Sequence, residues 1–123
     1  MEIGNIKFKA KKTLDGKWIK GDLVHHKDSD NVWITDYENQ LTSPVNPNTI
    51  CQFTGLKDCE GNEIWEGDII SSPHFERVAT VKWDDSLCGF KCSDVTGNIN
   101  FSFTAIANCS EWSIIGNKFD KEK

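Results

Sequence analysis

The sequence predicts an all-β protein, a small antiparallel β-barrel or sandwich with little helix. Apolar side chains recur at every second position in several segments, which is the period of a half-buried strand. Ile and Val, which favour strands, outnumber Leu by 18 to five. Turn-forming Gly, Asn and Asp residues interrupt these segments at short intervals, as they do in small barrels and sandwiches.

The length of 123 residues supports a single domain, whose core would be built from few but large side chains. Pro44 and Pro47 predict that residues 38–48 form a connection, because proline donates no backbone hydrogen bond. We therefore expect one domain over residues 1–123 with room for two lobes and a frayed tail: an N-terminal hairpin lobe at 1–45, a small β-barrel lobe at 46–117 and the tail at 118–123.

The first element is predicted to be a β-hairpin over residues 5–24. In its first strand an apolar face alternates with a row of lysines, the apolar residues being Ile6, Phe8 and Ala10 and the lysines Lys7, Lys9 and Lys11. The pair Asp15-Gly16 suits a tight turn with positive φ. Alternation then resumes at Lys17 and Trp18.

The later elements follow from the same pattern of alternation and turns. A polar loop is expected at 25–31 and a strand at 32–37. Further strands are predicted at about 49–54, 63–66, 68–72, 77–83, 89–93, 98–106 and 112–115. The corner Gly67-Asp68 before a β-branched pair is typical of strand entry in SH3-like barrels, so we expect such a barrel in the C-terminal half.

The charge is unevenly distributed along the chain. Six lysines and two acidic residues give residues 1–20 a net charge of +4, whereas eight basic and seventeen acidic residues give the remainder −9. An acidic body repels a phosphate backbone, which disfavours nucleic-acid binding by the main part of the protein. The lysine row is either the solvated face of a strand, which the alternation favours, or a short basic arm that binds nucleic acid.

No apolar stretch is long enough to span a bilayer, and the N-terminus lacks the layout of a signal peptide. We therefore expect a cytoplasmic protein with no membrane partner, and its five cysteines are expected to be free thiols.

Catalytic and metal chemistry find little support in the sequence. The densest group of carboxylates is expected to be a solvated acidic hairpin: Asp58, Glu60, Glu63, Glu66 and Asp68. A calcium loop starting at Asp58 lacks the required glycine and glutamate, and Cys88 and Cys92 lack the spacing of a zinc knuckle. We predict no catalytic residue, no metal site and no cofactor. An enzyme whose catalytic residues come together only in the folded structure stays open as an alternative.

The middle of the chain carries a recognisable signature. It consists of Gln52-Phe53-Thr54-Gly55-Leu56-Lys57-Asp58, then Gly61, then Ile64-Trp65-Glu66-Gly67-Asp68-Ile69-Ile70, and finally Ile115-Gly116-Asn117. This pattern resembles that of the YopX family, small proteins of phages, prophages and other mobile elements of bacteria. Phe53 and Trp65 stand where the family usually has tyrosine. The resemblance implies an all-β architecture and a mobile-element setting, and it implies no catalytic residue.

Turn chemistry explains most of the signature as a structural motif. Gly, Asp and Asn recur at turns because glycine adopts positive φ and short polar side chains bond to nearby backbone groups. The residues to which we assign this structural role are Gln52, Thr54, Gly55, Asp58, Gly61, Glu66, Gly67, Asp68, Gly116 and Asn117.

Two functions are expected from these observations. The first is a non-catalytic accessory protein that acts by protein–protein contact and forms homo-oligomers, because five Trp exceed what a small core buries whole. The candidate interaction surface is Lys7, Phe8, Lys9, Lys11, Trp18 and Trp65. The alternative is a small barrel that binds single-stranded nucleic acid, with Phe8 and Trp18 exposed beside the lysines.

Overall fold

The computed structural model describes residues 2–72, 75–94, 100–102 and 112–120. In this part of the chain the protein is all-β, as predicted, with two single-turn 3-10 helices at Ile3–Asn5 and Pro47–Thr49. The strands are β1 Phe8–Lys11, β2 Trp18–His25, β3 Val32–Asp36, β4 Thr42–Val45, β5 Cys51–Lys57, β6 Glu63–Trp65, β7 Asp68–Ser72, β8 Phe75–Asp84, β9 Gly89–Asp94, β10 Asn100–Ser102 and β11 Ser113–Asn117.

The strands form two antiparallel sheets, with the orders β4-β3-β2-β1-β5-β6 and β10-β9-β8-β7-β11. The chain folds into two compact units, Met1–Phe53 and Thr54–Lys123. Strand β5 begins in the first unit, where Phe8 lies opposite Gln52, and continues into the second.

The first unit is an antiparallel series of strands around a small apolar cluster. The predicted hairpin is confirmed as β1 and β2, with Ala10 opposite Ile19, and Gly16 in the connecting turn has φ +72. Strands β3 and β4 continue the series. At the end of β4 the chain returns to the end of β1, where Asn46 N donates to Lys11 O at 2.9 Å. The cluster consists of Ala10, Ile19, Val32, Ile34 and Val45.

The prediction that residues 38–48 form only a connection is wrong, because this stretch contains β4. Pro44 lies in β4 opposite Trp33. Strand β4 is the outermost strand of its sheet, and an edge strand tolerates a residue without a backbone donor. The chain divides into its two compact units between Phe53 and Thr54.

The second unit is a five-stranded sheet with its own apolar cluster. The cluster consists of Ile64, Ile70, Ala79, Val81, Cys92 and Trp112. The sheet is open within the described residues, so the expected closed barrel is not found there and the SH3-like likeness is not confirmed. Of the strand predicted at 98–106, residues 100–102 form β10, and the others lie outside the described residues.

Candidate functional site

The signature residue Asp58 organises a turn beside strand β11. Its carboxylate accepts hydrogen bonds from the backbone N–H groups of Glu60 at 2.9 Å, Asn62 at 2.8 Å and Ile114 at 3.2 Å. The neighbouring Cys59 N donates to Trp112 O at 3.0 Å. Two of these bonds join residues more than fifty positions apart, so the turn holds β11 in place.

The corner between β6 and β7 holds β11 as well. The Asp68 carboxylate, only 3% exposed, accepts hydrogen bonds from Trp65 N at 2.7 Å and from Asn117 Nδ2 at 2.9 Å. Gly67 has φ +88, a conformation in which a side chain is strained. Its N–H donates to Val81 O at 2.8 Å, and its carbonyl accepts from Lys118 N at 2.9 Å.

These contacts define a structural unit that we call the β11 clamp: Asp58, Gly67, Asp68 and Asn117. The carboxylates of Asp58 and Asp68 and the amide of Asn117 each have hydrogen-bond partners that belong to the fold. Asn117 Oδ1 additionally accepts from Phe119 N at 2.9 Å. Residues 118–120 are therefore hydrogen-bonded rather than frayed, and residues 121–123 of the predicted tail lie outside the described part.

Four further signature residues, Thr54, Gly55, Gly61 and Gly116, lie at hydrogen-bonded, positive-φ or irregular positions of the fold. Thr54 Oγ1 donates to Ile64 O at 2.7 Å, Gly55 has φ +89 and Gly61 has φ +85. Gly116 lies at a register irregularity in β11. Gln52 is exposed and Glu66 half-buried. Among the described residues no group of three or more His, Cys, Asp or Glu side chains could hold a metal ion.

Stability should depend on pH through Asp58. Burial acts to raise the pKa of Asp58, but the N–H donors of Asn62, Ile114 and Glu60 outweigh it and hold this pKa below the usual 3.8. A carboxylate with a lowered pKa stabilises the fold above its unfolded pKa, and that stabilisation is lost as the pH falls through the folded value.

We expect Asp58→Asn to be less stable than wild type at about pH 6, with a difference that shrinks as the pH approaches about 3. Urea unfolding at several pH values measures this difference in free energy of unfolding. A difference that stays constant over this pH range would contradict the role given to the Asp58 carboxylate.

The lysine row lies beside aromatic rings on one face of the first unit. Lys9 Nζ is 4.6 Å and Lys11 Nζ 5.3 Å from the centroid of the Trp18 ring. Lys7 Nζ is 4.7 Å from the Phe53 ring. Phe8 instead packs against the apolar cluster of the first unit. Of the two rings that the nucleic-acid hypothesis places beside the lysines, only Trp18 is there.

A further surface feature is the tip of the β8–β9 hairpin, residues 83–90. Trp83 is 44% exposed and Leu87 is 59% exposed. Trp83 Nε1 donates to Asp85 Oδ1 at 2.7 Å, and the Trp83 ring meets Phe90 edge to face at 5.3 Å. Asp84 accepts from Ser86 N at 2.8 Å and forms an ion pair with Lys91 at 2.9 Å. This β8–β9 tip was absent from the predicted surface.

The family comparison agrees with the signature. The family model described as YopX protein matches residues 7–122. The chain belongs to the YopX family. A search of curated proteins found no similar relative.

One member of the predicted interaction surface has to be removed from it. Trp65 of this YopX-family chain is only 2% exposed, because its β6 position places it inside the fold. Trp112 is likewise buried, whereas Trp18 and Trp33 are half-buried. The expectation that some tryptophans stay partly exposed therefore applies to Trp18, Trp33 and Trp83.

The cysteines divide into buried and exposed thiols. Among the described residues Cys51 and Cys92 are buried thiols and Cys59 and Cys88 are exposed thiols, and none of these four is part of a disulfide. Burial raises the pKa of the Cys92 thiol to about 12, so this thiol stays protonated. Cys109 lies outside the described residues.

In the described part of this YopX-family chain, no helix has the length and apolar composition needed to cross a membrane.

Proposed function

We propose that this YopX-family protein is a non-catalytic interaction module that binds protein partners, including a second copy of itself, through the β8–β9 tip. The observation that carries the proposal is the exposed Trp83 on a hairpin whose conformation is fixed by hydrogen bonds. We place this module in the bacterial cytoplasm, as an accessory protein of a phage or prophage.

The tip has the chemistry of an interaction hot spot. Tryptophan is enriched among the residues that dominate binding free energies. The Asp85 carboxylate and the Phe90 ring fix the Trp83 indole before a partner arrives, so little side-chain entropy is lost on binding. Leu87 adds apolar area at the same tip. A partner with an apolar pocket would bury both side chains.

Hydrogen bonds and an ion pair at Asp84 also fix the backbone of the β8–β9 tip. The side chain of Ser86, followed by Lys91, lowers the pKa of Asp84 well below its usual range. Ser86 Oγ donates to this carboxylate at 2.6 Å, and Leu87 N donates to Asp84 O at 3.2 Å. A rigid tip that presents apolar side chains to solvent supports binding as its role.

The state of three described groups, Asp58, Asp68 and Cys92, supports binding over catalysis by these groups. General acid–base chemistry needs a carboxyl group whose pKa approaches the working pH. The pKa of Asp58 is shifted the opposite way, and the Asp68 carboxylate is occupied by Trp65 N and Asn117 Nδ2. The Cys92 thiol is protonated and therefore a poor nucleophile.

Trp83→Ala is expected to weaken self-association at least about tenfold, a loss typical of a hot-spot residue. Stability should fall by only about 1 kcal/mol, because the indole is already partly exposed and its main loss is the ring pair with Phe90. Sedimentation equilibrium measures the association constant, and urea unfolding measures the stability.

Leu41→Ala is the matched control, since Leu41 is also exposed but lies between β3 and β4 in the first unit. It should leave association unchanged. Equal association of wild type and Trp83→Ala would exclude the tip as the contact. A wild-type chain that stays monomeric at high concentration would exclude self-association itself.

A further inference from the structure

The turn that joins β1 and β2 presents an apolar side chain between two lysines. We call residues 12–17 the β1–β2 turn. Leu14 is 92% exposed there, more than any other large apolar residue in the described part of the chain. An ion pair at 3.4 Å joins Lys12 to Asp15, so Lys17 leaves the turn with a net charge of +1. The turn therefore offers a partner apolar surface and a cation.

Hydrogen bonds fix the backbone of the β1–β2 turn. Lys12 N donates to Lys17 O at 2.9 Å, and Gly16 N donates to Lys12 O at 2.9 Å. Asp15 Oδ1 accepts from Lys17 N at 2.9 Å. Because the turn is already ordered, little conformational entropy is lost when Leu14 contacts a partner.

The β8–β9 tip has the opposite charge beside its exposed indole. Asp84 forms an ion pair with Lys91 at 2.9 Å, which compensates its charge. Asp85 is exposed, and its carboxylate lies 2.7 Å from Trp83 Nε1. Lys82 precedes Trp83 in β8, so its side chain points to the other face of the sheet. A partner of the tip therefore meets the carboxylate of Asp85 next to apolar surface.

We propose that the β8–β9 tip of one copy binds the β1–β2 turn of a second copy. Leu14 packs against Trp83 and Leu87, and Lys17 pairs with Asp85. This contact rests on the self-association proposed above and adds the surface that the tip binds. A tip-to-tip contact would instead bring the Asp85 carboxylates of two copies together, and like charges across an interface cost free energy.

The exposed Leu41 of the first unit does not match the tip in charge. It is 65% exposed, but its carbonyl accepts from Asp36 N at 2.9 Å, and Glu38 is exposed in the same turn. Binding at Leu41 would place these two carboxylates near Asp85. Leu41 therefore provides a matched control for Leu14.

A contact between two unlike surfaces predicts a particular kind of assembly. Each dimer keeps one unused tip and one unused turn, so association continues to larger species unless a ring closes. The two turns contain few residues, so the contact area is small and association belongs to the weak, transient class.

Sedimentation equilibrium of the full chain measures the association constant. Leu14→Ala and Lys17→Glu should each weaken association about fivefold or more. Asp85→Asn should weaken it as well, because the amide oxygen can still accept from Trp83 Nε1 while the charge is lost. Raising the salt concentration from about 0.05 to about 0.5 M should also weaken association, because salt screens an exposed ion pair.

The matched controls are Leu41→Ala and Lys27→Glu. Lys27 is exposed in the loop after β2, away from the β1–β2 turn in the sequence. Both controls should associate like wild type. Circular dichroism establishes that every variant is folded. Equal losses in Leu14→Ala and Leu41→Ala, or in Lys17→Glu and Lys27→Glu, would overturn the proposal.

A mixing experiment distinguishes the proposed contact from a tip-to-tip contact. Trp83→Ala keeps an intact turn and Leu14→Ala keeps an intact tip. Fluorescently labelled Trp83→Ala mixed with unlabelled Leu14→Ala should therefore form heterodimers with nearly the wild-type affinity, although each variant alone associates weakly. Fluorescence-detected sedimentation measures these heterodimers.

The failure of this contact and the failure of the proposed function give different results. If Trp83→Ala weakens association but Leu14→Ala does not, or if mixing restores nothing, the tip remains a contact and the β1–β2 turn is excluded as its partner. If Trp83→Ala associates like wild type, the proposed function fails, and the contact proposed here fails with it.

Discussion

Gly21→Ala is expected to prevent the first unit from folding. Gly21 lies in β2 between Phe8 of β1 and Asp36 of β3. A Cβ atom at this position would lie 1.8 Å from Thr35 O and 2.7 Å from Thr35 C. Both are backbone atoms, so no rotamer change relieves the overlap and the β2–β3 pair has to separate. Overpacking of this severity should cost at least about 3 kcal/mol, a large share of the stability of a small domain.

Gly4→Ala is the matched control for this substitution. No atom lies within 4 Å of a Cβ built on Gly4, and the Gly4 backbone has no positive φ. Its free energy of unfolding should stay within about 0.5 kcal/mol of wild type. Urea unfolding followed by tryptophan fluorescence measures both variants. Equal midpoints for Gly21→Ala and Gly4→Ala would show that the strands can move apart at little cost.

Asp68→Ala is expected to lower the free energy of unfolding by about 3 kcal/mol. The substitution removes the acceptor of Trp65 N and of Asn117 Nδ2, and both donors belong to buried residues. A buried donor without a partner carries a desolvation penalty of about 1–3 kcal/mol, and bonds to a charged acceptor lie at the upper end of that range. The β11 clamp would then keep the Asp58 bond from Ile114 N and the Gly67 O bond from Lys118 N, but it would lose its bond to the Asn117 side chain.

The control for Asp68→Ala is Gly116→Ala, a second change within the signature. No atom lies within 4 Å of a Cβ on Gly116, and its φ is not positive. We expect its free energy of unfolding to stay within about 0.5–1 kcal/mol of wild type. Urea unfolding gives both values. A loss below about 1 kcal/mol for Asp68→Ala would mean that solvent replaces the carboxylate at this corner.

The sequence pattern predicted the β1–β2 hairpin, β3 and β7 because local alternation and local turns determine these elements. Pro44 misled the prediction for β4, because the cost of a missing donor depends on whether a strand is central or at an edge. Edge position is a property of the whole sheet and leaves no local signal. The crowding at Gly21 also cannot be predicted from the local sequence, since it depends on how closely Thr35 of the neighbouring strand approaches.

The candidate sites were only partly accessible from the sequence. Turn chemistry indicated a structural role for the signature, but its contacts with β11 join residues 49 and 56 positions apart. Trp65 was expected at the surface but is buried. The prediction failed because the sequence of a short strand with one aromatic residue does not indicate which face of the strand is covered. For the β8–β9 tip the signal was present, since Asp84 and Asp85 next to Trp83 indicate an exposed turn.

The central claim is that the residues of the family signature stabilise the fold, and that Asp68 and Asn117 act together to hold β11 in place. A double-mutant cycle with Asp68→Ala, Asn117→Ala and the double variant tests it most directly. Groups in direct contact give coupling energies of roughly 0.5–3 kcal/mol. We predict a coupling of at least about 1 kcal/mol in urea unfolding. Additivity of the two single changes to within about 0.3–0.5 kcal/mol would contradict the claim.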